Sequence, residues 1–353
     1  MGAPQDRLEF PLEALLEYGL FLAKSITVVV ATMVLIGVIA GLRQRREGRP
    51  GHIEVTPLND QYDSYLQTLN QAAMGGAEFK AWSKQQRRAE RRRNKAGKRT
   101  RAPRPRLYVL DFEGDLQASA ADGLREAISA VLLQADKGDE VLVRLESGGG
   151  LVHAYGLAAS QLARVRQAGI ALTVAVDRVA ASGGYMMACL ADRILAAPFA
   201  VIGSIGVMAQ LPNFHRLLKR HDIDVELHTA GDFKRTLTVF GENTPQGRQK
   251  FIEELEVTHQ LFKDFVGEHR PQVDTEEVAT GEYWYGRQAL ERKLVDQLST
   301  SDEYLLGLRT ERDLLLVRYV ERRPWQDRVG MATEATLDRL LWRWLGRSQR
   351  MLP

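Results

Sequence analysis

Short apolar runs alternate with amphipathic stretches between about Leu107 and Val320. The apolar runs have the length of buried strands, and the stretches between them carry apolar residues at helical spacing. Alternation of this kind predicts an α/β fold with a mostly parallel sheet and helices on its faces. The predicted strands are Leu107–Phe112, Val141–Leu145, Ile170–Val176 and Ile194–Ala197, and the predicted helices are Ala121–Ala135, His153–Gln167 and Ser182–Ala191.

Two further helices are predicted toward the C-terminus. The first begins at Thr244-Pro245 and continues to about Val266, since threonine is a good N-cap and proline suits the first helical position. The second is an amphipathic stretch, Gln326 to Gly346, with leucines and Trp344 on one stripe. Packing on the domain or on a neighbouring subunit is favoured for this stripe over a membrane surface.

The stretch Ser25–Leu42 has eighteen residues without a charge, near the lower limit for spanning a bilayer core. A cleavable signal peptide would have a shorter apolar region preceded by positive charge, whereas the N-terminal flank here is acidic. An uncleaved transmembrane anchor is therefore predicted, with a buried soluble helix as the alternative. Arginines follow the stretch, and the positive-inside tendency favours a cytoplasmic position for the rest of the chain. These arginines are Arg43, Arg45, Arg46 and Arg49.

Positive charge is concentrated in one segment of the chain. The whole chain has 48 Lys/Arg and 45 Asp/Glu, a net charge of +3. The segment Lys84–Arg106 has twelve Lys/Arg and one Glu, or +11, so the rest sums to 3 − 11 = −8. A solvated helix with a Pro-rich tether, or contact with anionic lipid headgroups, is predicted. No nucleic-acid partner is expected, because aromatic residues do not interleave with the charges.

These patterns divide the chain into four predicted regions. They are a membrane anchor with its flanks (1–50), a basic helical or tether region (51–106), an α/β domain (107–320) and a C-terminal amphipathic helix (321–353). The single cysteine, Cys189, excludes an internal disulfide framework and a cysteine-rich zinc site. No ligand set for a metal or nucleotide is visible, so no cofactor is expected.

Three glycine-rich segments are the candidates for chemistry: Glu146–Gly150, Ala181–Tyr185 and Ile202–Gly206. A serine where a strand turns into a helix has its hydroxyl at the exposed carboxyl end of the sheet, near backbone N–H groups that can bind an oxyanion. Ser182 occupies such a position, but Ser-Gly-Gly is also a common turn. The segment departs from the G-x-S-x-G motif, because Ala180 replaces the first glycine.

A nucleophilic Ser182 needs a base, and the sequence offers two kinds. His153 follows the first glycine segment and is the one histidine near a candidate site. Lys234 lies beside Phe233 and an apolar run, which predicts partial burial. An amine accepts a proton only when it is neutral, and burial near apolar groups favours the neutral form. From the residues alone both bases stay open.

Several blocks in order resemble the signal peptide peptidase family, and most closely its SohB-type members. The blocks are VRLESGGGLVHAYGLAASQL, VAASGGYMMACLADRILAAPFAVIGSIGV, HTAGDFKRTLTVFGENTPQGRQKF and ATGEYWYGRQALERKLVD, which lie between about Leu107 and Val295. The resemblance implies a fold like that of the ClpP protease and the crotonases, with repeated ββα units. It also implies a Ser/Lys-dyad serine endopeptidase acting on hydrophobic peptides or membrane-protein segments.

The resemblance assigns roles by motif. Ser182 is the implied nucleophile, Lys234 the general base and Ser204 the residue that orients the lysine. Gly149 or Gly150 supplies an oxyanion donor, with the amide of Gly183 as a second candidate. Gly148 replaces the proline usual in the family, which makes the loop more flexible in the unfolded state.

The resemblance also bears on assembly and location. Single-domain relatives form rings or domes in which serine and lysine come from adjacent subunits, so a homo-oligomer is expected. A bacterial inner-membrane location is implied, with the side of the catalytic domain open, since family precedent and the arginine flank point in opposite directions. The alternatives are a crotonase-like acyl-CoA enzyme, a catalytically silent membrane-tethered scaffold, and a triad containing His153.

Overall fold

The computed structural model describes residues 20–22, 24–29, 32, 51–100 and 104–321. Within these residues no helix combines the length and the apolar character needed to cross a bilayer. Most of the predicted anchor Ser25–Leu42 and the whole predicted C-terminal helix lie outside them. Two compact units are distinguished, one of residues 53–320 and the other of 1–52 with 321–353. The site discussed below belongs to the first unit.

Ten strands form one mixed sheet within the described residues. The order is β1-β10-β2-β3-β4-β6-β9, while β5 pairs with β3 and β7, and β7 pairs with β8. The pairings that join β10, β2, β3, β4, β6 and β9 are parallel, and so are β3–β5 and β5–β7. Only β7–β8 is antiparallel among the pairings with a defined register. The strands are β1 (His52–Pro57), β2 (Arg106–Gly114), β3 (Glu140–Ser147), β4 (Ala171–Val176), β5 (Val179–Ala181), β6 (Arg193–Ala196), β7 (Val201–Gly203), β8 (Tyr283–Tyr285), β9 (Gln297–Leu298) and β10 (Asp313–Val320).

Ten helices accompany the strands in the described residues. The predicted helices correspond to α3, α4 and α5, and Thr244-Pro245 begins α7 as expected. The basic run of the sequence lies largely within α2. The helices are α1 (Leu58–Ala73), α2 (Gly76–Thr100), α3 (Ala121–Leu132), α4 (Val152–Gln167), α5 (Gly183–Ala188), α6 (His215–Arg220), α7 (Pro245–His269), α8 (Thr275–Val278), α9 (Gly286–Glu291) and α10 (Ser301–Leu308).

The sheet is covered on both faces, which explains the continuous apolar runs of its central strands. Successive side chains of β2 alternate between two hydrophobic clusters, because the side-chain period of a strand is two. Tyr108, Leu110 and Phe112 pack in the larger cluster with residues of α3, α4 and α5. Leu107 and Val109 pack in the smaller one with residues of α1 and α10. The predicted α/β architecture is therefore confirmed, and β4, β5 and α5 form one ββα unit.

Candidate active site

Ser182 is the residue at which β5 turns into α5. Its backbone has φ +52° and ψ −119°, outside the regions that a non-glycine residue prefers. The Ser182 N–H donates to the Gly203 carbonyl (2.7 Å), and the Ser182 carbonyl accepts from the Met186 N–H (3.0 Å). These bonds hold the strained turn, and strain held by its surroundings is common at functional sites. The half-buried Ser182 hydroxyl forms no hydrogen bond within the described residues, so it is available to a substrate and a base.

The register of three neighbouring strands places the glycine-rich segments at one edge of the sheet. Ser147 of β3 pairs with Ala180 of β5, and Ala181 pairs with Gly203 of β7. Because all three strands are parallel, their carboxyl ends meet there. Ser182 and Ser204, which directly follow β5 and β7, therefore occupy neighbouring positions. The structure thus brings together two serines that lie 22 residues apart in the sequence.

Ser204 also has a left-handed backbone, with φ +50°. Its N–H donates to the Glu282 carbonyl (2.7 Å), and its hydroxyl lies 3.4 Å from the carbonyl oxygen of Gly281. In this chain the Ser204 hydroxyl is thus directed to the backbone preceding β8. It forms no hydrogen bond to a lysine of the described residues.

The glycine loop after β3 packs directly on the Ser182 turn. Gly149 has φ +88°, and a Cβ at this position would lie 2.7 Å from both the Ser182 Cβ and the Gly183 nitrogen. A Cβ on Gly184 would lie 2.5 Å from the Ser147 carbonyl oxygen, and a Cβ on Gly183 would overlap the ring of Tyr155. These glycines are required for close approach of loop and helix. A Cβ on Gly148 would meet nothing within 4 Å, so this position is open.

The three candidate oxyanion donors differ in their hydrogen bonds. The Gly149 N–H already donates to the Ser147 hydroxyl (3.0 Å), which disfavours Gly149 as a donor to substrate. The N–H groups of Gly150 and Gly183 form no hydrogen bond within the described residues. Gly183 is also the first residue of α5, where the N–H groups of a helix lack intrahelical partners. Gly150 and Gly183 are therefore the better candidates.

Lys234 lies in an exposed segment, and the partial burial predicted from its apolar neighbours is wrong for this single chain. Its N–H donates to the Gly231 carbonyl (3.2 Å), and its amine forms no hydrogen bond or ion pair with the described residues. Phe233 beside it is 46% exposed. None of the residues 207–240 is buried. The large apolar side chains exposed there are Met208, Leu211, Phe214, Leu217, Ile223, Val225, Leu227, Phe233 and Phe240.

His153, the other candidate base, lies in the first turn of α4. Its side chain is exposed and forms no hydrogen bond with the described residues. No Ser–His pair is therefore formed at this site in the described chain. The described residues also contain no group of three or more His, Cys, Asp or Glu suited to a metal ion.

Sequence reasoning missed Tyr155, which lies beneath the glycine loop. This residue is fully buried, and its hydroxyl is 2.6 Å from the Ser147 hydroxyl and 2.8 Å from the Asp115 carbonyl. Burial raises the pKa of the Tyr155 phenol, an effect that the Ser147 hydrogen bond opposes and the Asp115 charge reinforces. The phenol thus stays protonated at neutral pH. A tyrosine in an amphipathic stretch gives no sign of such a role, because the contact depends on how α4 docks on β3.

Two family models match consecutive parts of the chain. The model "Peptidase family S49 N-terminal" matches residues 13–162, and "Peptidase family S49" matches residues 164–315. Among solved structures, a lysine variant of the 1510-N membrane-bound stomatin-specific protease, in complex with a substrate peptide, has 12% sequence identity and a TM-score of 0.41. That match covers 66% of this chain and 100% of the other.

The chain is also similar to curated proteins over most of its length. It is 46% identical over 345 residues to "Probable protease SohB" of Haemophilus influenzae. That match covers 94% of this chain and 97% of the relative. A protein of the same description from Buchnera aphidicola subsp. Acyrthosiphon pisum is 48% identical over 335 residues, covering 94% and 97%. "Putative signal peptide peptidase SppA" of Enterococcus faecium is 28% identical over 205 residues, covering 57% and 59%. The chain therefore belongs to peptidase family S49, and within it lies with the SohB proteins.

Proposed function

We propose that this chain is a membrane-anchored serine endopeptidase with Ser182 as the nucleophile and Lys234 as the general base. The observation that carries the proposal is the Ser182 turn: a hydroxyl without a partner in the described chain, on a strained strand-to-helix turn, with a glycine loop packed against it. Membership of a peptidase family and the similarity to probable proteases support the reaction class.

In the proposed mechanism a neutral Lys234 amine takes the proton of the Ser182 hydroxyl as the oxygen attacks a peptide carbonyl. The N–H groups of Gly150 and Gly183 stabilise the oxyanion of the tetrahedral intermediate, which is where such donors contribute most. Lys234 then protonates the leaving amine, and water hydrolyses the acyl-enzyme. Ser204 orients the lysine amine in the assembled site. No cofactor is needed for these steps.

The exposure of Lys234 supports a site shared between copies of the chain. In the single chain Lys234 is exposed to water, and a lysine base beside a nucleophilic serine needs neighbours that exclude water from it. The segment 207–240, which carries Lys234, exposes its large apolar side chains in the single chain. Exposed apolar surface on this scale is typical of an interaction site. We propose that this segment packs on another copy and brings Lys234 to the partner's nucleophile.

The proposed anchor is Ser25–Leu42, and the proposed organisation is anchor (1–50), basic region (51–106), α/β peptidase domain of the ClpP/crotonase-like type (107–320) and C-terminal helix (321–353). An anchored domain meets hydrophobic peptides and membrane-protein segments, which are the proposed substrates. Deletion of residues 1–50 is expected to release the protein from bacterial inner membranes under alkaline extraction. Retention of the deleted protein would contradict the anchor.

The deciding experiment labels the detergent-solubilised full chain with a fluorophosphonate and measures peptide hydrolysis. Ser182→Ala is expected to lose both, and Lys234→Ala to lose hydrolysis with much slower labelling. Hydrolysis that survives in Ser182→Ala would refute the nucleophile. His153→Ala is the matched control for the base and is expected to keep wild-type rates, since the His153 side chain is exposed and unpaired in the described chain.

A mixing experiment tests the shared site. Subunits of Ser182→Ala and Lys234→Ala are dissociated, mixed and reassembled. If serine and lysine come from different copies, some sites in the mixture contain both intact residues, so hydrolysis returns. A mixture as inactive as its two components, with normal assembly, would place the dyad within one chain.

A further inference from the structure

Ser147 and Tyr155 form a buried polar pair beneath the glycine loop. Ser147 is the last residue of β3, Tyr155 lies near the start of α4, and their relative exposures are 2% and 0%. Their hydroxyl oxygens are 2.6 Å apart. A buried hydroxyl without a hydrogen-bond partner destabilises the folded state, so each of these two hydroxyls is expected to have a defined partner.

The direction of every bond in this group follows from the partners at its two ends. The Asp115 carbonyl accepts only, so the Tyr155 hydroxyl must donate its single proton to that oxygen (2.8 Å). Tyr155 then has only lone pairs for Ser147, whose hydroxyl is therefore the donor between the two. The Ser147 oxygen accepts from the Gly149 N–H (3.0 Å). One directed chain results: Gly149 to Ser147 to Tyr155 to Asp115.

The same two residues also contact the turn that carries Ser182. The Tyr155 ring lies against Gly183, which has no room for a Cβ there, and the Ser147 carbonyl lies against Gly184 in the same way. Phe112 packs edge to face with the Tyr155 ring, at 6.4 Å between centroids and 73° between planes. The start of α5 thus lies against the fully buried Tyr155 ring, and the glycine loop is joined to the same residue through the Ser147 hydroxyl.

We propose that Ser147 and Tyr155 are positioning residues that set the glycine loop relative to Ser182, by engaging the Gly149 N–H and leaving the next amide to the oxyanion. The inference rests on the proposed peptidase function. The loop is clamped a second time where the Leu151 N–H donates to the Leu116 carbonyl (2.9 Å), one residue past Asp115. Between these two clamps lies Gly150, whose N–H has no partner in the described residues.

The test compares two tyrosine variants that lose the same group. Tyr155→Phe keeps the ring against Gly183 and removes only the hydroxyl. The matched control is Tyr185→Phe, since Tyr185 is equally buried and its hydroxyl also donates to a backbone carbonyl, that of Leu294 at 2.9 Å. Tyr155→Phe leaves the buried Ser147 hydroxyl without its acceptor, and Tyr185→Phe leaves the buried Leu294 carbonyl without the tyrosine donor, so both are expected to lower the thermal midpoint of the full chain. Only Tyr155→Phe breaks the chain of bonds to the glycine loop.

We expect Tyr155→Phe to lower kcat by about tenfold to a hundredfold with KM within about twofold, because misaligned oxyanion donors act on the transition state. Hydrogen exchange in the peptide covering residues 147–151 is expected to rise in the same variant. Tyr185→Phe is expected to change neither kcat nor the hydrogen exchange of residues 147–151. Ser147→Ala should lower kcat and raise loop exchange in the same way. The double variant Ser147→Ala/Tyr155→Phe should be no slower than either single variant, because both residues act through one chain of hydrogen bonds.

Each outcome bears on the inference. Unchanged loop exchange in Tyr155→Phe and Ser147→Ala overturns the proposed chain of bonds without reference to activity. Faster exchange with an unchanged kcat overturns the positioning role while leaving Ser182 as nucleophile intact. Equal hydrolysis by wild type and Ser182→Ala overturns the proposed function itself, and the positioning role with it. Faster exchange together with the kcat loss, in Tyr155→Phe alone of the two tyrosine variants, supports the inference.

Discussion

Ser182 donates its backbone N–H to the Gly203 carbonyl at 2.7 Å, and this bond joins the ends of two parallel strands. Its consequence is that Ser182 and Ser204 follow β5 and β7 at adjacent positions. Both serines have positive φ, 52° and 50°, which costs of order 1–3 kcal/mol at each. The surrounding hydrogen bonds hold these two strained serines at one sheet edge, which carries the proposed nucleophile.

The closeness of the glycine loop to Ser182 makes a first prediction. Gly149→Ala is expected to lower hydrolysis by at least about a hundredfold, since displacement of about 1 Å at a reacting group costs that much. The added Cβ would meet the Ser182 Cβ and the Gly183 nitrogen at 2.7 Å, on a backbone with φ +88°. Fluorophosphonate labelling rate and peptide kcat/KM measure the loss.

Gly148→Ala is the control for that variant, because a Cβ on Gly148 would meet nothing within 4 Å. It is expected to keep the wild-type rate and to add up to about 1 kcal/mol of stability by restricting the unfolded chain. Similar losses in both variants would show that loop flexibility, rather than contact with Ser182, is the cause.

The residues of this edge were found in the sequence because each glycine segment carries a local signal. The buried strands β2, β3 and β4 were found because their apolar runs have strand length, and the four-residue β6 was found as a short apolar run. β5, β7 and β8 are only three residues long, too short to show a period. The buried contacts of Tyr155 and the exposure of Lys234 depend on long-range packing. Sequence spacing indicates only which residues are near one another along the chain. The contacts of Tyr155 and the exposure of Lys234 depend on residues that are distant in sequence.

The burial of Cys189 leads to a second prediction, which concerns sensitivity to a thiol reagent. Burial raises the pKa of the Cys189 thiol to about 12, so almost no thiolate exists at neutral pH. Iodoacetamide is expected to leave hydrolysis by the folded protein unchanged, and Cys189→Ala is expected to stay active. Since the chain has a single cysteine, inactivation by iodoacetamide that Cys189→Ala does not prevent would indicate a reaction elsewhere. Inactivation that Cys189→Ala does prevent would contradict the burial.

Asp111 makes a prediction about pH. It lies on β2 between Arg144 of β3 and Arg318 of β10, with nearest N–O distances of 2.6 and 2.7 Å. Burial alone would raise the pKa of Asp111, but the hydrogen bonds from both arginines outweigh burial and lower it. The stabilisation is therefore fully present above the unfolded-state pKa of about 3.9 and is lost as pH falls through the lower folded-state pKa.

Asp111→Asn measures this contribution. The variant is expected to lose about 2 kcal/mol of unfolding free energy at pH 7, as for hydrogen bonds to charged groups. The difference from wild type should be constant above about pH 5 and should shrink below about pH 4. Asp313→Asn is the control, because its ion pair with Arg104 is longer (3.5 Å) and exposed on both sides. That change is expected to cost about 1 kcal/mol or less. A wild-type advantage that grows on acidification would contradict the assignment.

Thr244 makes a prediction about the start of α7. Its hydroxyl accepts from the Gly247 N–H at 3.0 Å, and Pro245 occupies the first turn, as the sequence predicted. Thr244→Ala leaves that N–H unpaired and is expected to cost about 1 kcal/mol, the usual value for an N-cap. Thr258 provides the control within the same helix, since its hydroxyl donates to the Glu254 carbonyl four residues back and caps no helix end. Thr258→Ala is expected to be neutral or to gain a few tenths of a kcal/mol through alanine's higher helix propensity. Denaturant unfolding at one fixed protein concentration measures both, because assembly shifts apparent stability with concentration. Equal costs for the two variants would mean that the hydroxyl of Thr244 does not cap α7.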